Sequence, residues 1–111
     1  MIKLSELRRR ALAFFIRRRR VRITEGDSLP RKLPLFDLVL AREDDEDWCV
    51  GFRCPCGCNE RVELLLIKEA KPRWDIAVTR DMRPTLIPSV WLNKGCRSHF
   101  YVRDGRIVWC R

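Results

Sequence analysis

The stretch Phe52-Arg-Cys-Pro-Cys-Gly-Cys-Asn-Glu60 places three cysteines at alternate positions of a tight turn that also holds a proline and a glycine. A second stretch, Gly95-Cys-Arg-Ser-His-Phe100, supplies a fourth cysteine after a glycine. Four soft thiolate ligands from two turns are typical of a structural zinc site, in which the ion holds loops that a small core could not hold. The sequence therefore predicts a zinc site at the centre of the fold, with the ligands Cys54, Cys56, Cys58 and Cys96.

Two further cysteines leave the ligand set open. Cys49 follows Trp48, and Cys110 ends the last predicted strand, where a buried free cysteine is common. Either could replace a ligand if the alternate cysteines cannot all face the ion, although residues two apart in an extended stretch do point to the same side. Disulfides are the other use of six cysteines. A basic chain without a recognisable signal peptide is expected in the reducing cytoplasm, which favours metal.

The positive charge is concentrated at the N-terminal end of the 111-residue chain, whose length predicts one modest core. Residues 1–24 hold nine Lys and Arg against one Glu, whereas the other 87 residues hold fifteen against fourteen acidic ones. Apolar residues at intervals of three and four predict an amphipathic helix over residues 3–20. We therefore expect a basic helical leader, residues 1–24, and a zinc-stabilised β domain, residues 25–111. No apolar run is long enough to span a membrane.

The leader has several possible roles. Its arginines could contact phosphates of a nucleic acid, anionic lipid or an acidic partner protein. They could also contact the acidic run of this chain itself, residues 43–47. Alternatively, its apolar stripe docks on the domain and the arginines are only solvated. Without an aromatic platform or a groove-binding pattern, nucleic-acid binding is the less favoured reading.

The rest of the chain predicts a small, mostly antiparallel β domain. Residues 28–34 form a proline-punctuated linker, and no second pattern of helical length follows it. Residues 100–109 predict a hairpin whose type I′ turn is Asp104-Gly105. Short runs rich in Val, Ile, Leu and Trp predict the other strands at residues 36–41, 48–53, 61–67, 74–79 and 86–92.

The chain has a single histidine, His99, and it lies close in sequence to two serines. One imidazole and one hydroxyl are the minimum for serine-type nucleophilic catalysis, with the histidine as general base. Adjacent residues of a strand point to opposite faces, so Ser98 is poorly placed to give its proton to His99. Ser89, on a neighbouring strand, is the better partner, and Ser98 stays possible if the backbone bends at residues 95–96.

A non-catalytic interpretation of the same residues is also open. Ser98 could hydrogen-bond the metal-binding thiolates, and His99 could be a spare ligand. If the pair is catalytic, Glu60 or Glu63 could orient the imidazole, and backbone N–H groups near Gly95 or Ser98 could stabilise an oxyanion.

Several motifs together carry a resemblance that covers nearly the whole chain. With its arginine-rich leader, the chain resembles a small bacterial family first catalogued as a domain of unknown function and encoded beside ubiquitin-like proteins and their activating and conjugating enzymes, in operons linked to phage defence. The shared motifs are Cys-Pro-Cys-Gly-Cys, Pro72-Arg73-Trp74, Pro88-Ser89-Val90, Gly95-Cys-Arg-Ser-His-Phe100 and Arg106-Ile-Val-Trp109.

The resemblance implies a serine-type peptidase that trims or removes the ubiquitin-like protein by acting on its C-terminal tail. The catalytic pair would be Ser89 or Ser98 with His99, and the cysteines would bind a structural zinc ion. Conjugation-pathway enzymes would be further partners, and the protein would work in the cytoplasm. Two other hypotheses remain beside this one: a non-catalytic zinc-binding module whose basic helix contacts nucleic acid, and a scaffold that docks on a conjugating enzyme.

Overall fold

The computed structural model describes residues 18–110, and the regular structure in that range consists of nine β-strands. The predicted mainly β fold is thus confirmed, whereas the helix predicted over residues 3–20 lies almost entirely outside the described residues. The strands are β1 (Val21–Glu25), β2 (Leu38–Glu43), β3 (Glu46–Arg53), β4 (Arg61–Leu65), β5 (Asp75–Val78), β6 (Pro84–Ile87), β7 (Val90–Trp91), β8 (His99–Arg103) and β9 (Arg106–Trp109).

The strands form three sheets, in the orders β1-β2-β3-β4, β5-β6 and β7-β8-β9. All neighbours pair antiparallel except β1 and β2, which are parallel with Val21 opposite Leu38. Sequence analysis placed residues 21–24 in the leader, but they belong to this sheet. Val21 and Ile23 do alternate with polar residues, but the strand was missed because it follows directly on the arginine run that was assigned to the leader.

One predicted strand, residues 86–92, is in fact two. Strand β6 ends at Ile87 and β7 begins at Val90, so that Pro88 and Ser89 form the connection between two sheets. Proline has no backbone N–H to give to a ladder, which explains why the pairing stops there. Because of this break, Ser89 lies at a sheet end rather than in the middle of a strand.

A single apolar core lies between the sheets. Phe52 of β3 and Phe100 of β8 are both fully buried and meet edge to face, with ring centroids 6.1 Å apart. Their contact joins the four-stranded sheet to the three-stranded one. The buried residues of the core are Val21, Leu38, Leu40, Val50, Phe52, Cys54, Val62, Leu64, Leu66, Leu86, Val90, Phe100 and Val102.

The described end of the basic segment is bound to the domain. The buried carboxylate of Asp37 accepts hydrogen bonds from the backbone N–H of Arg20 and from Nε of Arg22, each at 3.2 Å. Arg19 donates to the carbonyl oxygen of Phe36 at 2.6 Å, and burial lowers the pKa of its guanidinium. These contacts involve arginines of the leader, which the sequence analysis considered as possible contacts for the phosphates of a nucleic acid. Among residues 18–110 there is no helix whose length and apolar character would let it cross a membrane.

The predicted turn at Asp104-Gly105 is present. Both residues have positive φ, 48° and 78°, as a type I′ turn requires. The acidic run forms a second turn of this kind at Asp44 and Asp45, with φ of 53° and 61°, and this turn joins β2 to β3.

Gly105 is a site where substitution should reduce stability. A Cβ atom there would meet the backbone carbonyl of Arg19, and its φ of +78° disfavours L residues. We expect Gly105→Ala to lower the free energy of unfolding by about 2 kcal/mol or more, measured by urea or thermal unfolding. Gly95→Ala is the control, since Gly95 has a similar φ of +65° and open space at Cβ. It should lose only about 1 kcal/mol, and equal losses would contradict the steric argument.

Candidate functional site

The four cysteines predicted as metal ligands come together. The sulfur atoms of Cys54, Cys56, Cys58 and Cys96 all lie within 4.8 Å of one another. The Cys54 sulfur is 3.3 Å from that of Cys56 and 3.6 Å from that of Cys96. Ligand sulfurs about 2.3 Å from a tetrahedral ion are about 3.8 Å apart, so this donor set fits a four-coordinate site for a thiophilic metal.

Two turns present these sulfurs. In the first, the N–H of Cys54 donates to the carbonyl oxygen of Glu60 at 2.8 Å and closes the loop that follows β3. Gly57 and Asn59 have φ of 94° and 64°, and these left-handed conformations make the chain turn sharply enough for alternate cysteines to face one point.

The second turn brings in the distant cysteine. The N–H of Arg97 donates to the carbonyl oxygen of Lys94 at 3.3 Å, with Gly95 and Arg97 at φ of 65° and 54°. This turn joins β7 to β8 and aims Cys96 at the first turn.

Hydrogen-bond donors converge on the sulfur atoms. Burial raises the pKa of Cys54 to about 12, whereas a hydrogen bond from the Cys54 thiol and then the backbone amide of Cys58 lower the pKa of Cys56 to about 6. The hydroxyl and then the amide of Ser98 lower the pKa of Cys96. The Cys54 thiol would lose its proton on binding a metal, but the amide of Cys58 and the hydroxyl and amide of Ser98 would still donate to thiolates, so these surroundings suit a thiolate cluster.

Ser98 lies against this cluster. Its Oγ is 3.1 Å from the sulfur of Cys96 and 3.8 Å from that of Cys54. The structure therefore puts Ser98 where the non-catalytic interpretation placed it. The remaining cysteines are outside the cluster: the sulfur of Cys49 is 3.9 Å from the carbonyl oxygen of Asp27, and Cys110 follows the last strand.

Ser89 and His99 meet directly. The Oγ of Ser89 is 2.9 Å from Nε2 of His99, and both residues are half-buried. The pairing of β7 with β8 sets this geometry, because it places Trp91 opposite His99 and leaves Ser89 just beyond the strand end. The indole N–H of Trp74 donates to the carbonyl oxygen of Ser89 at 3.2 Å and holds the backbone there.

Trp91 is a member of the site that the sequence reasoning missed. Its indole stacks on the imidazole of His99, with ring centroids 4.8 Å apart and planes 12° apart. The tryptophan is 69% exposed. The only sequence signal was its position two residues after Ser89, and its contact with His99 depends on a strand register that the sequence does not disclose.

The expected orienting acids are elsewhere. The carboxylate of Glu63 accepts a hydrogen bond from Arg61 at 2.7 Å, and Glu60 meets the metal turn through its backbone. Among residues 18–110, the ring of His99 hydrogen-bonds Ser89 and no carboxylate. The expectation that Glu60 or Glu63 orients the imidazole thus has no support in the hydrogen bonds of the described part.

The cysteine cluster and the serine–histidine pair are neighbours in the chain. Only two residues separate Cys96 from His99, and Ser98, which contacts the sulfurs, directly precedes the imidazole. The carbonyl oxygen of Ser98 also accepts the N–H of Leu92 at 2.9 Å, which ties the metal turn to the end of β7. A change in the second metal turn would therefore move His99 relative to Ser89.

One comparison with known proteins identifies a related family. A family model described as bacterial ubiquitination-like system serine protease, BubE, matches residues 25–110. No curated protein and no solved structure matches the chain.

Proposed function

The chain belongs to the family of bacterial ubiquitination-like system serine proteases, and from that premise we propose that it processes or deconjugates a ubiquitin-like protein, with Ser89 as nucleophile and His99 as general base. The observation that carries the assignment is the 2.9 Å contact between Ser89 Oγ and His99 Nε2. Ser98, the other serine next to His99, is directed at sulfur instead.

The proposed reaction follows from the contact of these two side chains. Ser89 Oγ attacks the carbonyl carbon of the scissile bond while His99 Nε2 takes the hydroxyl proton. The tetrahedral oxyanion collapses to an ester on Ser89, and His99 returns the proton to the leaving amine. A water molecule, deprotonated by His99, then hydrolyses the ester and restores the hydroxyl.

The substrate segment is proposed to bind as an added strand. In the described residues β7 is an edge of its sheet, with β8 as its one neighbour, and it begins directly after Ser89. An extended C-terminal tail that pairs along this edge would carry its carbonyl groups past the nucleophile. A folded ubiquitin-like body could stay outside while the tail reaches the site.

We propose that the metal is zinc and that its role is structural. Cys54, Cys56, Cys58 and Cys96 would hold it, and four thiolates leave no open position for a substrate or water. When bound, the ion would fix the two turns relative to each other. This role agrees with the position of His99, which follows the second turn.

The resemblance in sequence also supports the setting in which this peptidase would work. We propose that it acts in the cytoplasm, beside the conjugating enzymes of the same operon and as part of a defence against phage. The partner that this proposal requires is a ubiquitin-like protein with an accessible C-terminal tail, in keeping with the family's description.

The assignment of the nucleophile can be tested with a fluorophosphonate probe, which reacts with activated serine hydroxyls. We expect one adduct per chain, mapped by peptide mass spectrometry to Ser89. The same preparation should cleave a C-terminal extension from the ubiquitin-like protein of its own operon. An adduct on Ser98, or cleavage without any reactive serine, would contradict the proposed roles.

A further inference from the structure

The imidazole of His99 has an aromatic partner where serine peptidases commonly have an acidic one. A general base needs a group that fixes its orientation and that stabilises it when it becomes an imidazolium ion. Within residues 18–110 no carboxylate hydrogen-bonds His99, but the indole of Trp91 lies parallel to its ring at 4.8 Å. Building on the function proposed above, we propose that Trp91 is the positioning residue for His99.

The geometry of the sheet explains how Trp91 can hold the ring. Trp91 and His99 are directly opposite each other on β7 and β8, so their side chains emerge on the same face. The stack limits rotation of the imidazole, while the hydrogen bond to Ser89 fixes its Nε2 edge. Together the two contacts define both the plane of the ring and its direction.

The stack also has an electrostatic consequence. The face of an indole ring carries partial negative charge and attracts a cation placed over it. When His99 takes the proton of Ser89, the resulting imidazolium lies against this face. Trp91 can thus supply, through its ring, the orientation and the charge stabilisation that a carboxylate supplies in a serine–histidine–acid triad, whereas the choice of tautomer needs a hydrogen bond that a stack does not make.

Packing alone does not account for Trp91. The residue is 69% exposed and is not part of the buried core, so its removal would open no cavity. Trp109 on β9 provides the comparison. It is 50% exposed and meets the buried ring of Phe100 edge to face at 5.6 Å, a packing contact with the core rather than a stack on the imidazole of His99.

The test measures the rate at which a small alkyl fluorophosphonate labels Ser89, because this probe has no peptide to contact the tryptophan. We expect Trp91→Ala to lower the rate constant about 10- to 100-fold, as a displaced general base would. Trp91→Phe, which keeps an aromatic face, should stay within about threefold of wild type. Trp109→Ala is the matched control and should label at the wild-type rate. Thermal unfolding and metal content are measured for every variant to confirm that it is folded.

The outcomes separate this inference from the function on which it rests. If Ser89→Ala abolishes labelling but Trp91→Ala labels at the wild-type rate, the positioning role is wrong and the peptidase assignment stands. Normal labelling combined with a raised KM for the ubiquitin-like substrate would likewise overturn it, since Trp91 would then contact substrate only. A wild-type protein that neither labels nor cleaves contradicts the proposed function and the inference together.

Discussion

Replacing Ser89 by alanine is expected to lower kcat/KM for the ubiquitin-like substrate by at least about a thousandfold, because the attacking oxygen is removed. Metal content and the thermal unfolding temperature should not change, since Ser89 is half-buried at a sheet end and does not touch the cysteine cluster. The measurement is the initial rate of cleavage, followed by electrophoresis or mass spectrometry.

Ser98→Ala is the matched control for this experiment. It removes the same hydroxyl nine residues further on, but from a side chain that contacts Cys96 and Cys54. Loss of an outer-shell donor commonly weakens metal binding about 10- to 100-fold. We therefore expect Ser98→Ala to weaken metal affinity and, at saturating metal, to keep most of the cleavage activity. A loss of activity in Ser98→Ala as large as that in Ser89→Ala would contradict the assignment of Ser89 as nucleophile and of Ser98 as a partner of the cysteines.

The histidine gives an independent check of the pair. His99→Ala should reduce activity about as strongly as Ser89→Ala, and the double variant should lose little more, because residues that act as one catalytic unit are strongly non-additive. Additive losses would mean that the 2.9 Å contact is not the catalytic one. Both variants should retain the metal.

The site was predictable where it depends on local rules. Cysteines at positions 54, 56 and 58 alternate, and alternate residues of an extended turn can share a side. The preference for Ser89 as the partner of His99, with Ser98 left open, used the same alternation. The cysteine cluster and the contact of Ser89 with His99 in the structure agree with these two arguments.

What could not be predicted depends on pairing between distant segments. The contact between Trp91 and His99 requires β7 and β8 to pair in one register, and no local pattern states which strand is opposite which. The parallel pairing of β1 with β2 could not be predicted for the same reason. Only one residue of β1 is buried, and the strand is held by its hydrogen bonds to β2. Glu60 and Glu63 were expected to orient His99 because they follow the cysteine turn in sequence. Proximity in sequence does not predict contacts between different sheets.

The cysteine cluster also allows a prediction about stability. We expect the isolated protein to carry one zinc ion per chain, and Cys58→Ser to abolish stoichiometric binding and lower the thermal unfolding temperature by more than about 10 °C. Cys58 suits the test because its side chain is exposed, so that exchanging sulfur for oxygen costs little in packing. Any large effect must then come from the ion rather than from the core.

Cys110→Ser is the control for this substitution. Cys110 is half-buried and lies outside the cluster. Its substitution should change the unfolding temperature by no more than about 3 °C, and the metal content should stay at one ion per chain. A similar drop in both variants would show that general loss of cysteine packing, and not metal coordination, explains the result.

Removal of a metal ion bound at the cysteine cluster should also affect the contact between Ser89 and His99, although neither residue is a proposed ligand. The second metal turn leads directly into His99, and the Leu92 N–H to Ser98 carbonyl contact couples that turn to β7. A chelator is therefore expected to slow both cleavage and fluorophosphonate labelling, and added zinc should restore them together. If chelation removed the ion but left the labelling rate of Ser89 unchanged, the turns would hold His99 without the metal. The cysteine cluster would then stabilise the fold but play no part in placing His99 beside Ser89.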